Sequence, residues 1–148
     1  MFIHYGSKKF DRERFEEVKN ADYGWVKPDC GGLWASPIGS ECSWKQWNES
    51  SHFTECDESN AFRFDLTPDA RILHLYSADD LKPLPKIEPE IKMQSVFLDF
   101  EAIAKEYDAI WLHLSEDRTP DWERGLYWLL YGWDCDCILV LNPDVVRI

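Results

Sequence analysis

The apolar segments of this chain are short, and proline ends them. Segments 33–36, 62–66 and 135–141 are each followed by a proline within two residues. Because proline neither donates to a sheet ladder nor continues a helix, each segment is limited to one short strand. Segment 62–66 alternates apolar with charged residues, the pattern of a half-buried strand. Segment 135–141 is rich in β-branched and aliphatic residues, which predicts a strand at or near the centre of a sheet.

Other strands are predicted from short apolar runs elsewhere in the chain. Phe2–Tyr5 precedes a Gly-Ser pair, and segment 109–112 has the length and character of a buried strand. Segment 71–76 follows the turn Thr67-Pro68-Asp69. We therefore expect it to return along segment 62–66 as its pairing partner.

Three short helices are predicted, at 11–19, 44–50 and 100–107. Ser43 begins a capping-box pattern before the second of them, with Gln three residues later. Asp99 is suited to cap the third because its carboxylate can accept from the first free backbone N–H groups.

Two stretches have the composition of loops. Segment 24–32 carries a proline and a glycine pair, and segment 78–93 is rich in Pro, Lys and Glu. The pattern amounts to roughly six strands with two or three short helices, without regular strand–helix alternation. It favours an α+β fold with a mixed, mainly antiparallel sheet of short strands, formed by residues 1–148 as a single domain.

Composition narrows the function classes. With 148 residues, of which 45% are hydrophobic, the chain can bury a core, and its formal net charge of −12 disfavours stable binding to nucleic acid. Five cysteines in irregular spacing are unlike a secreted disulfide framework. No apolar run is long enough to cross a membrane, and the first residues do not have the pattern of a signal peptide. A cytoplasmic protein without a membrane partner is expected.

Three separated segments, Ile3–Ser7, Gly32–Ser36 and Cys135–Val140, carry the strongest functional signal. In order and character they resemble the three signature strands of the diphtheria-toxin and poly(ADP-ribose) polymerase class of ADP-ribosyltransferases. That class has His before Gly and Ser or Thr in the first strand, a Gly-x-Tyr-Phe-Ala/Ser-like second strand, and Glu at the head of a late strand. The chain also resembles small uncharacterised bacterial and phage proteins with GGLWASP, YDAIWL and YGWDC segments.

The resemblance implies an ADP-ribosyltransferase-like fold and a protein that binds NAD as a substrate and transfers ADP-ribose to a macromolecular acceptor, such as a protein. It implies that His4 holds the nicotinamide ribose and that Trp34 takes the place of the stacking Tyr. Asp136 falls at the position of the Glu that stabilises the positive charge developing on the sugar. The remaining residues implied in binding NAD are Tyr5, Gly6, Ser7, Ala35 and Ser36.

The identity of the carboxylate is left open by strand geometry. At strand spacing, Asp134 and Asp136 are expected on one face, with Cys135 and Cys137 on the other. Only one of these faces can line a pocket. Asp134 is therefore the alternative carboxylate, and Lys27, with Arg12 and Arg14, is a candidate for contacts to a pyrophosphate.

Other functions remain open at this point. Trp replaces the family's Tyr and Asp replaces its Glu, so the alternative is a non-catalytic acidic binding or inhibitor module with the same fold. A thiol or metal enzyme built on Cys135 and Cys137 is a third hypothesis, although a zinc site needs two further donors with suitable spacing. The aromatic-rich segment 122–133 is expected to pack in the core, to form a pocket wall or to meet a partner surface.

Overall fold

One curled sheet organises the chain. The computed structural model describes residues 1–22, 26–88 and 94–148. Within them, seven strands form the sheet in the order β4-β5-β6-β2-β1-β3-β7, where the strands are β1 (Phe2–Tyr5), β2 (Leu33–Pro37), β3 (Ala61–Leu66), β4 (Ile72–Leu75), β5 (Ala109–Leu112), β6 (Cys137–Val140) and β7 (Val146–Arg147). The predicted strands are present, and β7 is an addition to them.

The pairing within the sheet is mixed and mainly antiparallel. β4 and β5 run parallel, whereas the other neighbouring pairs run antiparallel. Together with the three α-helices of the described residues, this confirms the α+β class. β6 lies between β5 and β2, and all four of its residues are buried, as expected for an inner strand.

The predicted pairing of β3 with β4 is wrong. The turn is present, since the Ala70 N–H donates to the Thr67 carbonyl over 3.1 Å, but β3 already has β1 and β7 on its two edges. β4 instead pairs with β5 at the far end of the sheet. The Asp108 carboxylate fixes it there by accepting from the Arg71 backbone N–H at 2.8 Å and from its guanidinium at 3.2 and 3.3 Å.

The helices are short: α1 (Trp44–Ser51), α2 (Phe100–Ile103) and α3 (Leu126–Leu129). Ser43 and Asp99 cap α1 and α2 as predicted, with side-chain oxygens that accept from backbone N–H groups three residues on. α2 is shorter than expected, and residues 104–106 continue it only as turns.

The helix predicted at 11–19 is wrong. Only a single 3-10 turn forms there, at Arg12–Arg14. The segment then extends, and the Lys19 N–H donates to the Cys30 carbonyl over 3.0 Å while its own carbonyl accepts from the Asp29 N–H at 2.8 Å. Pairing with the segment before β2 has taken the place of helical hydrogen bonds.

Two apolar clusters cover the two faces of the sheet. Cys137 and Leu139 of β6 belong to the first cluster, with buried side chains of α2 and α3, whereas Ile138 and Val140 belong to the second, with Phe64 of β3. Successive residues of β6 therefore serve opposite faces. This alternation decides which side chains next to β6 can reach a given site.

The predicted loops are irregular where the structure describes them. Residues 26–32 have no regular element, and Ala78–Leu81 forms one 3-10 turn. The parts of these predictions at 24–25 and 89–93 lie outside the described residues. No helix in the described parts of the chain is long and apolar enough to cross a membrane.

Candidate functional site

A cleft opens where β1 and β2 separate. The two strands pair at Phe2↔Pro37 and Ile3↔Ser36, and their ladder ends there. Beyond this point the imidazole Nδ1 of His4 lies 2.7 Å from the Trp34 carbonyl oxygen. Since a carbonyl oxygen only accepts, Nδ1 carries the proton, and Nε2 of the neutral ring is left as an acceptor.

The β1–β2 cleft encloses about 260 Å³ and has a mainly apolar lining. Trp34, Trp44 and Trp133 are among the residues that line it, and Trp34 meets Trp133 edge to face with centroids 4.8 Å apart. A pocket of this kind, with a few polar groups placed among apolar side chains, suits a small planar ligand.

Five of the predicted NAD-binding residues line this cleft, namely His4, Tyr5, Trp34, Ala35 and Ser36. The hydroxyl of Ser36 is buried and accepts from the Trp44 backbone N–H at 3.1 Å, so it links β2 to the start of α1. The two segments predicted from separate parts of the sequence are thus brought to one site.

Gly6 and Ser7, the other two predicted NAD-binding residues, are not among the described residues that line the cleft. Gly6 has a φ of 110°, a conformation that side chains with Cβ rarely adopt, and its N–H donates to the Asn60 carbonyl over 2.8 Å. Ser7 lines a second, more open groove of about 510 Å³ that shares His4 with the cleft. Arg14, one of the basic residues considered for a pyrophosphate, also lines this groove.

Asp136 lies apart from His4 and Trp34. It is 7% exposed, and its carboxylate accepts from the Ser115 N–H at 2.7 Å, the Ser115 hydroxyl at 2.5 Å and the Ser40 hydroxyl at 2.8 Å. It is not among the described residues that line the cleft. The contacts of Asp136 are those of a buried carboxylate that joins two loops.

Asp134 lines the cleft instead, together with the sulfur-bearing residues Cys135 and Cys137. The prediction that Asp134 and Asp136 share a face assumed a regular strand, but β6 begins only at Cys137, and a bend occupies 135–136. Strand alternation therefore does not extend back to Asp134.

The Cys137 thiol of the cleft is a poor nucleophile. A hydrogen bond to Cys135, followed by burial, raises the pKa of the Cys137 thiol well above its ordinary value. It stays protonated at neutral pH, whereas nucleophilic attack requires the thiolate. Within residues 1–22, 26–88 and 94–148, no three His, Cys, Asp or Glu side chains group as metal ligands would.

Lys27 places a positive charge at the cleft. Its ammonium nitrogen lies 5.8 Å from the centroid of the Trp34 ring, in the range of a cation–π contact. Lys27 and Asp134 are the charged groups that line the cleft among the described residues. A ligand that stacks on Trp34 would therefore meet the Lys27 ammonium there.

Sequence reasoning did not identify Trp44 as a site residue, and it placed Trp133 only within an aromatic-rich segment. Trp133 is 1% exposed, and its indole N–H donates to the Val26 carbonyl over 3.1 Å, so this ring forms a fixed pocket wall. A large aromatic residue two positions before the third signature segment was the available signal. Trp44 is the first residue of the helix predicted at 44–50, but the sequence pattern did not indicate what its side chain contacts.

No protein-family model, curated protein or solved structure matches the chain. The function of the cleft is therefore inferred from its own residues and geometry.

Proposed function

We propose that the chain is an NAD-binding, ADP-ribosyltransferase-like protein whose nicotinamide site is the β1–β2 cleft. The observation that carries the proposal is the convergence of His4 and Trp34 on one cleft, joined by the 2.7 Å contact between the imidazole and the Trp34 carbonyl. The resemblance of their two segments to the first and second signature strands of the family had implied that these two residues share one site.

The shape and lining of the cleft support a planar, partly polar ligand. A volume of about 260 Å³ suits a pyridine carboxamide ring with part of a ribose. Trp34 and Trp44, which are both partly exposed, offer aromatic surface to the ring, and the Nε2 atom of His4 offers an acceptor for a ribose hydroxyl.

The chemistry proposed for the cleft is cleavage of the bond between the nicotinamide nitrogen and the ribose. Nicotinamide leaves with the bonding electron pair, an acceptor nucleophile bonds to the ribose carbon and loses its proton, and positive charge develops on the sugar in between. A carboxylate close to that charge lowers the barrier. We assign this role to Asp134, which lines the cleft, because the carboxylate of Asp136 is held by Ser40 and Ser115.

The test is binding and turnover of NAD labelled in its nicotinamide ring. We expect saturable binding by the wild-type chain, weakened about tenfold or more in His4→Ala and Trp34→Ala, since each removes a direct contact. His52→Asn is the matched histidine control, because Asn tolerates the left-handed backbone at this position outside the cleft. Absence of both NAD binding and nicotinamide release would overturn the proposal.

A second candidate is an NAD-binding module without catalysis. The observation that favours it is the engagement of Asp136, whose carboxylate already accepts three hydrogen bonds away from the cleft. This candidate predicts that NAD binds but that nicotinamide release stays at background, both in the wild-type chain and in Asp134→Asn. Catalysis by Asp134 predicts measurable release that the same variant reduces by about a hundredfold or more.

A further inference from the structure

Four aromatic side chains are exposed in one short stretch beside the cleft. Trp122 is 84% exposed, Trp128 57%, Tyr131 55% and Tyr127 45%, and we call these four the aromatic surface. Single exposed apolar residues are normal, but grouped exposed aromatic rings mark binding surfaces, where Trp and Tyr are enriched. The β1–β2 cleft does not use any of the four.

The backbone beneath the aromatic surface is fixed. On the inner side of α3, Leu126 and Leu130 are completely buried. The Asp117 carboxylate accepts from the Leu126 N–H at 2.8 Å and from the Thr119 hydroxyl at 2.6 Å, which ties the loop to the helix. The rings are therefore presented on an ordered support, which limits the entropy lost when a partner binds.

The rings also support one another. Tyr127 meets Trp128 edge to face with centroids 5.3 Å apart, and Trp128 stacks on Tyr131 at 6.4 Å with an interplanar angle of 11°. Trp122 and Trp128 line a groove of about 600 Å³ together with Glu123 and Arg124. The groove thus has two indole rings, one carboxylate and one guanidinium within reach of an inserted side chain.

Charge selects among the partners that such a surface can take. The chain has a formal net charge of −12, and the loop before α3 carries Glu116, Asp117, Asp121 and Glu123 against Arg118 and Arg124. A second copy, a nucleic acid and an anionic membrane would all be repelled at long range. A basic polypeptide would be attracted, and indole faces bind guanidinium and ammonium groups.

We infer that the aromatic surface binds a basic polypeptide segment, with Arg or Lys side chains against Trp122 and Trp128 and aliphatic side chains against the tyrosines. Tyr131 is followed directly by Gly132 and Trp133, which line the cleft. The aromatic surface therefore adjoins the cleft at Tyr131. The further step that this segment is the acceptor of ADP-ribose rests on the proposed function.

The binding step is tested without NAD, so that it stands apart from the proposed chemistry. The probe is a short synthetic peptide that alternates Arg with Leu, and the matched peptides replace Arg by Glu or Leu by Ser. We expect the Arg–Leu peptide to bind with an affinity that falls as salt rises, and the Glu peptide not to bind. Loss of the Leu side chains is expected to weaken binding.

Variants locate the binding on the molecule. Trp122→Ala and Trp128→Ala are each expected to weaken peptide binding by about tenfold or more, because exposed Trp side chains dominate such interfaces. Phe53→Ala is the matched control, since Phe53 is 70% exposed and lies outside the aromatic surface. Unchanged circular dichroism and melting temperature in each variant show that the fold is kept.

The inference is overturned by any of three results. The first is that the Arg–Leu peptide does not bind. The second is that Phe53→Ala loses as much peptide affinity as the two Trp variants. The third is that Trp122 and Trp128 are needed for binding to anionic vesicles or to a second copy of the chain, and not for binding to the peptide. NAD binding in the same preparations is scored separately. Peptide binding without NAD binding would refute the proposed function, whereas the inference that the aromatic surface binds a basic segment would stand.

Discussion

At the residue scale, the contacts of Asp136 predict a contribution to stability. Asp136→Ala leaves the Ser40 hydroxyl and both donors of Ser115 without their acceptor in a site that is 7% exposed. Unpaired buried donors are costly, so we expect a loss of about 2 to 4 kcal/mol in the free energy of unfolding, measured by urea denaturation. Asp134→Asn is the comparison and is expected to change stability by less than about 0.5 kcal/mol. Equal losses in the two variants would contradict this assignment.

The position of the Lys27 ammonium predicts how the charge of a ligand affects the affinity of the cleft for that ligand. The nicotinamide ring of NAD is cationic when oxidised and neutral when reduced, and the Lys27 ammonium lies 5.8 Å from the ring centroid of Trp34. Lys27→Met keeps the apolar stem and removes the charge. We expect the affinity for the oxidised form to rise about two- to fivefold relative to the reduced form. Titration calorimetry measures the affinities for the oxidised and reduced forms, with Lys105→Met as the control. Equal changes in the two affinities would refute an effect of the Lys27 charge.

The sequence predicted some site residues and not others for physical reasons. His4 and Trp34 belong to segments with clear strand limits, and the family resemblance had implied that they share one site, where the structure brings the His4 imidazole to the Trp34 carbonyl. Asp134 and Asp136 precede β6 at a bend, where an error of one residue in the start of the strand reverses the face of a side chain. The contacts of Asp136 with Ser40 and Ser115 join distant parts of the chain, which local patterns do not specify.

At the element scale, local patterns located the strands but not all their partners. β3 and β4 were both predicted, and the turn between them forms, yet β7 takes the edge of β3 on which a hairpin would have been completed. The choice depends on contacts between residues far apart in sequence. The predicted helix at 11–19 fails for the same reason, because Lys19 pairs with Cys30, eleven residues later in the chain.

The attachment of β4 gives a prediction at this scale. The buried carboxylate of Asp108 accepts from the backbone and side chain of Arg71 and from the Asn142 side chain. Asp108→Ala removes charge-assisted bonds to the start of β4, at a cost of about 2 kcal/mol or roughly thirtyfold in local opening. We expect the amides of Leu73 and Leu75 to exchange faster by this factor in hydrogen-exchange measurements.

The control for β4 is the opposite half of the sheet. Amides of β1 and β3 are expected to keep more of their protection than those of β4, because local opening at an edge strand does not require the whole sheet to unfold. A uniform loss of protection in all strands would show that Asp108 supports the whole fold and not the attachment of one edge.

At the scale of the whole molecule, the candidate site depends on distant parts of the chain. β1 contributes His4, β2 contributes Trp34, and residues 132–135 together with Cys137 complete the wall of the cleft. The sheet order brings these segments together because β2 lies between β1 and β6. A fragment without the β6 region would have lost both the inner neighbour of β2 and one wall of the cleft.

The same sheet joins two histidines from neighbouring strands. Nδ1 of His74 on β4 lies 2.9 Å from Nε2 of His113, which follows β5, so one ring donates and the other accepts. Burial lowers the pKa of both side chains below the ordinary value, and the nearby His74 lowers that of His113 further. Glu116 and Asp136 oppose this shift at His113, whereas Arg118 adds to it. The net direction favours two neutral rings in the folded protein.

This pair predicts a pH dependence of stability. A pKa lower in the folded than in the unfolded chain means that the unfolded chain binds more protons, so stability rises with pH in that interval. The contribution is complete above about pH 6.5, the ordinary pKa of His, and is lost as pH falls towards the folded values. We expect the urea midpoint to fall between about pH 7.5 and pH 5.5, and to fall less in His74→Gln. His52→Asn, which leaves the pair intact, should keep the wild-type slope, and an unchanged slope in His74→Gln would exclude the pair as its source.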